Sequence, residues 1–428
     1  MAVSWTETLY EWSLRLAKAG LGTAARGDGK IARGVQGRRE SIAVFESWAL
    51  AERDPARPLV WLHAPSVGEA LMAGAIGGAF RRMHPRSQIA FTFFSPSAER
   101  VAPKIGADVV AYVPWDVRTD VRQSLEALRP DVVAFIRTEV WPTLAREAKR
   151  AGARVALLNA PLAEGSSRLR PFARQMLGGV YADLDAIGVV NERDAERFTR
   201  LRVSADRVRI TGDARFDQVH DRVHQLDRAQ PLLDALGTGP RNIVAGSTWP
   251  ADESVLLDAW VRASLDRTRL IIAPHEPTES HIAELENRID RHKLQHARID
   301  HILAGADTPI FIVDRVGVLA DLYSIAHIAY VGGGFGTAGL HSVIEPAALG
   351  VPVLFGPHHG NAVEGRELAE AGGGFVVHDA RELAERLRTL SADPSAGEAA
   401  NAWVGSRLGG AARNAAVLDE LLGRSMPQ

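Results

Sequence analysis

Residues 59–69 read Leu-Val-Trp-Leu-His-Ala-Pro-Ser-Val-Gly-Glu. A short run of apolar and aromatic residues closes on a proline and leads into helical periodicity that continues through Met83. This describes a buried strand, a tight turn and the helix that follows it. The run does not alternate between apolar and polar residues, as expected of a strand covered by helices on both faces, the usual setting of a parallel sheet.

The same unit recurs in both directions along the chain. In the first half, strands are expected at Leu59–Ala64, Gln88–Phe93, Val109–Val113, Asp131–Ile136, Arg154–Asn159 and Ala186–Val190. In the second they are expected at Val208–Thr211, Asn242–Ala245, Arg269–Ala273, Ile310–Val313, Ile328–Val331, Val351–Phe355 and Gly374–Val377. Strands separated by helical stretches indicate a doubly wound α/β protein. The chain of 428 residues is longer than one core usually organises, so two domains are expected. The stretch Asp217–Pro240 is charged, helical and strand-free, which puts the change of domain near its start. The expected plan is an N-terminal segment 1–40, a first domain 41–217, a second domain 218–393, and a helical segment 394–428 packing back on the first half.

Composition narrows the function. Fifty Lys+Arg balance 52 Asp+Glu, too even for the broad basic field of a general nucleic-acid binder. The absence of cysteine removes disulfides, thiolate zinc sites, iron–sulfur clusters and cysteine nucleophiles, and fits a reducing, cytoplasmic setting. The sequence has no secretory signal pattern and no apolar run of the roughly 20 residues that a membrane span requires. At the N-terminus Trp5, Leu9, Trp12 and Leu16 fall on one helical stripe, and Tyr10, Leu14 and Leu21 cover another. Glu7, Glu11, Arg15 and Lys18 make a charged strip, and Arg26, Lys30, Arg33, Arg38 and Arg39 follow. Two readings fit: a helix lying on an anionic membrane surface, or a helix packed on its own domain with a solvated basic linker.

In open α/β sheets ligands gather at the carboxyl ends of strands, so the strand-to-helix turns carry the chemistry. In the first turn, Ser66 and Glu69 have capping-box spacing, in which Glu69 satisfies a helix amide. Alternatively Gly68 admits a ligand and Glu69 takes a proton from a substrate hydroxyl. The sequence leaves both open. A second turn carries Arg137 and Glu139, which can pair with each other or with a polar ligand. A third, Gly246-Ser247-Thr248, offers glycine, hydroxyls and helix amides to a phosphate, or simply caps the next helix. The glycine-rich turn Gly332-Gly333-Gly334-Phe335-Gly336 precedes His341 and Glu345, and a carboxylate there holds ribose hydroxyls or caps a helix. The turn is not a dinucleotide fingerprint, because the G-x-G-x-x-G spacing is not met in the usual strand-turn-helix context near the N-terminus, and no P-loop is present. Asp183-Leu184-Asp185 stands before a strand, and His358-His359 are adjacent and diverge, so no metal is expected.

Taken together, His63–Glu69, Thr138–Pro142, Thr211–Asp217 and His341–Pro346 resemble the signature segments of the 3-deoxy-D-manno-octulosonic acid (Kdo) transferases, in the same order. The resemblance implies a GT-B fold of two facing Rossmann-like domains with parallel sheets. It also implies inverting transfer of Kdo from CMP-Kdo to a lipid A precursor, lipid IVA, by a peripheral enzyme at the cytoplasmic face of the inner membrane, with no metal or other cofactor. Carried over by motif, Glu69 is the catalytic base, and Arg137 and Arg215 stand where the family stabilises the transition state. Ser66, Gly68, Ser95, Glu139 and Asn159 form the acceptor-binding set. The donor-binding set is Gly246, Ser247, Thr248, His275, Glu276, Val316, Gly317, Val318, Gly333, Gly334, Gly336, His341, Ser342, Val343, Ile344 and Glu345. Departures from the family pattern are Arg137 for glutamate, Arg215 for lysine, His275 for arginine, Ser342 for asparagine and Pro161 for arginine. A GT-B transferase using a UDP- or GDP-sugar and an inactive membrane-associated relative are the alternatives.

Overall fold

The computed structural model describes residues 5–24, 27, 29–227, 229–360, 362–390 and 394–423. The chain forms two compact units, Met1–Gln218 with Leu408–Gln428, and Val219–Arg407. Each is built on one seven-stranded sheet in which every pairing is parallel.

In the first unit the strands are β1 (Leu59–Ala64), β2 (Gln88–Phe93), β3 (Val109–Tyr112), β4 (Val132–Ile136), β5 (Arg154–Ala160), β6 (Ala186–Val189) and β7 (Val208–Ile210). Their order is β3-β2-β1-β4-β5-β6-β7, so the direction of winding reverses between β1 and β4. Every residue of β1, β2 and β4 is buried, because helices cover both faces of the sheet. Within the sheet His63 stands opposite Thr92 across β1 and β2, and the Trp61 indole also donates to Thr92 Oγ1 at 2.9 Å. At the strand beginnings, Asp108, Asp131 and Asp185 accept the amides of Ile89, Leu59 and Val155 at 2.7, 2.8 and 2.9 Å. Asp185 is therefore engaged with a neighbouring strand and with Lys149 and Arg154.

The second unit holds β8 (Arg241–Thr248), β9 (Thr268–Pro274), β10 (His296–Arg298), β11 (Ile310–Ile312), β12 (Ile328–Val331), β13 (Val353–Phe355) and β14 (Gly374–Val376), ordered β10-β11-β9-β8-β12-β13-β14. Winding reverses here between β8 and β12. The edge strand β10 was not expected from sequence, since its three residues His-Ala-Arg contain no apolar run. The C-terminal helices divide. Helix Ser395–Gly405 belongs to the second unit, and only helix Gly410–Gly423 returns to the first, where it packs on helix Val67–Met83. Asp217 fixes that return by accepting the amides of Gly409 and Ala411 at 2.7 and 3.0 Å, as an N-terminal cap does.

Helix Trp5–Ala24 lies on the first unit by one side. Leu14 and Ala17 pack against Val35, Trp115 and Val117, Tyr10 bonds Asp116, and Lys18 Nζ pairs with Asp120 at 2.6 Å. Glu11 faces Arg118 at 3.6 Å, so Glu11 and Lys18 of the charged strip both reach partners on the first unit. Leu9, Trp12 and Leu16 remain 63%, 59% and 70% exposed. The side chains of Trp5 and Glu7, and all of Arg26, lie outside the described residues. Arg38 leaves the expected basic run. It is buried in helix Lys30–Glu52 over the Phe94 ring, 3.9 Å from its centroid, and desolvation lowers its pKa to about 10.

Candidate active site

In the first unit, the carboxyl ends of β1 and β4 flank the reversal of winding, where a doubly wound sheet opens a crevice. Pro65–Glu69 follows β1 and Arg137–Trp141 follows β4. Ser66 begins the helix after β1 without donating or accepting a capping bond; its hydroxyl instead hydrogen-bonds the Glu69 carboxylate. The capping box that the spacing allows is therefore not formed, and Glu69 does not bond a helix amide. Gly68 is exposed, and a Cβ placed on it meets no atom within 4 Å. Packing thus supplies no reason for glycine at this position.

Glu139 is half-buried across the same opening, and burial raises its pKa against the pull of Arg168, with the Glu69 charge adding to the rise. Behind them, the Trp141 indole donates to His63 Nε2 at 2.9 Å, so the neutral ring carries its proton on Nδ1, 3.0 Å from Thr92 Oγ1. Complete burial holds the His63 pKa near about 3. Trp141 and the 41%-exposed Phe94 stand 5.5 Å apart and form an aromatic wall. Ser95 is brought to this edge by its amide, which donates to Pro65 O at 2.8 Å.

A second group centres on Asp213, which the sequence reading passed over. Its carboxylate pairs with Arg215 at 2.6 Å and accepts from Asn159 Nδ2 at 3.3 Å. Burial opposes its ionisation, but Arg215 and then Arg137 overcome this and hold the carboxyl below its usual range. Arg137 takes a left-handed backbone with φ of 74° while its amide donates to Leu158 O at 2.9 Å. Asn159 does not reach a ligand. It is fully buried, accepts from Ala214 N at 2.8 Å, and donates its amide to Asn414 at 2.9 Å and its side chain to Met72 Sδ and Asp213. It is a scaffold residue joining β5 to the three helices that carry Met72, Ala214 and Asn414.

In the second unit the equivalent reversal lies between the ends of β8 and β12. Ser247 is left-handed with φ of 53°. Thr248 is buried and its hydroxyl is engaged by Glu253 at 3.1 Å, so its side chain is unavailable to a ligand. Gly246 is glycine because a Cβ would come within 2.2 Å of the Tyr323 hydroxyl. Gly332, Gly333 and Gly334 are likewise required by backbone approach to Ser247, Gly339 and Gly356, whereas a Cβ on Gly336 would come no closer than 4.0 Å to Ala338 N. Asp252 holds this turn by accepting the amides of Gly333 and Phe335 at 2.8 and 3.2 Å. Beside it Trp249, His275 and His341 stack at 5.0 and 4.3 Å, and the Trp249 indole donates to His341 Nε2 at 3.1 Å. Burial and the neighbouring His275 lower the His341 pKa, so the ring is neutral. His275 and Glu276 are exposed at the end of β9.

Val316 and Gly317 form an exposed turn, with Gly317 at φ of 95°, and Val318 precedes helix Leu319–Tyr323. Ser342 Oγ accepts the Ile344 amide at 3.4 Å. Val343 and Ile344 are buried to 1% exposure, so they offer a ligand backbone rather than side chains. Glu345 pairs with Arg222 at 3.0 Å; burial raises its pKa and Arg222 opposes the rise. Among the described residues no cluster of three or more His, Asp or Glu is placed to hold a metal ion.

Residues 39–218 match the family model for 3-deoxy-D-manno-octulosonic-acid transferase (kdotransferase), which spans nearly all of the first unit's sheet and turns. The chain is 28% identical over 418 residues to the 3-deoxy-D-manno-octulosonic acid transferase of Bordetella pertussis, covering 92% of this chain and 94% of that protein. It is 29% identical over 333 residues to that of Chlamydia trachomatis serovar A, covering 75% of each. Over most of its length the chain is similar to Kdo transferases. It is a glycosyltransferase. A solved UDP-N-acetylglucosamine 2-epimerase superposes over 86% of this chain and 96% of its own with a TM-score of 0.60 at 16% identity, a likeness of fold. Within this transferase, the groups that sequence reasoning missed are Asp213, Trp141 as a wall and support, and Trp249. Asp213 was legible as a carboxylate two residues before Arg215, whereas the indole contacts join residues 78 and 92 positions apart.

Proposed function

We propose that this transferase moves Kdo from CMP-Kdo to a lipid A precursor, with inversion and without a metal, at an anionic membrane surface on the cytoplasmic face of the inner membrane. The observation that carries the reading is Glu69: a carboxylate at the end of β1, not engaged in helix capping, beside a glycine that packing does not require. Glu69 accepts the proton of the acceptor hydroxyl as that oxygen bonds the anomeric carbon of Kdo. The bond from that carbon to the CMP phosphate oxygen breaks, its electron pair leaves with CMP, and attack opposite the leaving group inverts the centre. Developing positive charge on the sugar and negative charge on the phosphate call for preorganised dipoles. Arg137 and Arg215 on the first unit, and the amides of Gly334, Gly336, Ser342 and Val343 with His275 on the second, are the groups assigned to that task. Ser66, Gly68, Ser95 and Glu139 receive the acceptor, and Glu345 receives ribose hydroxyls after exchanging its bond to Arg222.

The assay is incubation with CMP-Kdo and tetraacyl lipid A precursor, read by mass spectrometry for addition of Kdo. Product from CMP-Kdo alone among CMP-, UDP- and GDP-sugars supports the reading, as does tighter binding of CMP than of UMP or GDP in calorimetry. Transfer from a UDP- or GDP-sugar, or no transfer by the folded protein, overturns it.

A further inference from the structure

The helix Trp5–Ala24 is joined to the candidate acceptor site by a buried carboxylate. Tyr10 Oη donates to Asp116 Oδ2 at 3.0 Å. Asp116, 1% exposed, also accepts the amides of Thr143 and Leu144 at 2.9 and 2.7 Å. These are the first donors of helix Pro142–Arg150, whose own N-terminal residue, Trp141, provides no side-chain cap and is followed by a proline that has no N–H. Asp116 thus caps that helix from a distant segment, and the cap is held in turn by Tyr10.

The capped turn carries the acceptor-side groups. Trp141 donates to His63 and faces Phe94, and Glu139 lies two residues before it, close enough to the Tyr10 hydroxyl to raise its pKa after burial and Asp116. The Lys18–Asp120 pair and the packing of Leu14 and Ala17 fix the same helix at a second place.

We propose that Tyr10 and Asp116 are positioning residues, which transmit the seating of the N-terminal helix to the Glu139–Trp141 turn and so set acceptor binding. This rests on the transferase reading above. The N-terminal helix is then part of the acceptor site's support, and a shift of its seating alters acceptor affinity without altering the donor unit.

The deciding variant is Tyr10→Phe in the full chain, which keeps the ring and its packing and removes one hydroxyl. Steady-state transfer to lipid acceptor in mixed micelles is expected to show a KM for acceptor raised about tenfold, consistent with loss of one buried hydrogen bond. The KM for CMP-Kdo is expected to stay unchanged. Hydrogen–deuterium exchange of the 143–147 amides is expected to quicken, and Asp116→Asn, which keeps only one carbonyl acceptor, to quicken it further. An unchanged acceptor KM with a lowered melting temperature would mean that the bond merely stabilises the fold, and would overturn the proposal. If Asp116→Asn does not fold, Tyr10→Phe alone decides. If wild-type protein transfers to no lipid acceptor, the transferase reading fails; the coupling is then judged by exchange at 143–147 in Tyr10→Phe, and unchanged exchange would overturn it.

Discussion

Glu69 and Gly68 separate chemistry from architecture at the level of single residues. A Glu69→Gln variant keeps the shape and the Ser66 contact but cannot accept a proton. Its transfer rate is expected to fall about 10²–10⁴-fold, with its melting temperature unchanged. A carboxylate acting as a cap would give the opposite pair of results, near-normal turnover and a loss of roughly 1 kcal/mol in stability. Gly68→Ala adds a methyl group where no protein atom lies within 4 Å, in the first turn of a helix. Stability is expected to rise by about 0.5–1 kcal/mol, as alanine replaces glycine at a permitted backbone angle, while acceptor KM rises because the methyl occupies ligand space. Thermal melting and steady-state kinetics on the same sample test both halves.

His63 gives a pH signature. Its pKa falls from 6.5 in the unfolded chain to about 3 in the fold, because burial penalises the charged ring. Between these values the unfolded state binds the extra proton, so stability from this site is fully present above pH 6.5 and is lost as pH falls toward 3. The total is on the order of several kcal/mol. Urea unfolding of wild type and His63→Gln between pH 4 and 8 is expected to show a steeper acid-side loss in the wild type. Parallel curves would mean that the imidazole does not govern this slope.

Among elements, the N-terminal helix divides into two faces with different tasks. Leu9, Trp12 and Leu16 are exposed, whereas Tyr10, Leu14, Ala17 and Lys18 hold the helix to the first unit. Changing Leu9, Trp12 and Leu16 to Ser is expected to weaken sedimentation with anionic liposomes about tenfold or more, since each removes apolar surface available to the headgroup region, and to leave the melting temperature unchanged. Deleting the helix is a different experiment, because it also removes the contacts to Asp116 and Asp120 and is expected to lower stability. Unchanged liposome binding in the triple variant would sink the membrane-surface reading. Among the described residues no helix is long and apolar enough to cross a membrane.

At the scale of the whole molecule, the first unit is closed by a segment almost two hundred residues away. Helix Gly410–Gly423 contributes Ala411, Ala415, Val417, Leu418 and Leu421 to the core of the first unit, and Asn414 meets the Asn159 amide there. Truncation after Arg407 removes them together. Single large-to-small changes at such sites cost about 2–5 kcal/mol each, so the truncated chain is expected to lose the cooperative transition of the first unit in calorimetry. A truncated chain melting like the full one would show that this helix is dispensable.

The strand positions were readable because parallel strands buried on both faces appear as unbroken apolar runs, and β1, β2, β4 and β12 lie where those runs stand. The turns that carry Glu69, Glu139 and Gly332 were readable for the same reason, since each follows a strand directly. The linear pattern carries local periodicity and burial, and through them the doubly wound class. It does not carry partnership between distant residues. Gly68 and Gly332 look alike in sequence, yet one faces open space and the other faces Ser247 O. Asn159 looked like a ligand at a strand end until Asp213, Ala214 and Asn414 closed around it. Arg38 looked like part of a basic run, and its helix turned it onto the Phe94 ring. Tyr10 and Asp116, separated by 106 positions, became neighbours only when the first helix was laid on the sheet. The apolar pattern of the sequence thus determined which residues stand at strand ends, whereas tertiary packing decided which of them keep a polar atom free for chemistry, because hydrogen-bond satisfaction in a buried site depends on what the rest of the chain brings to it.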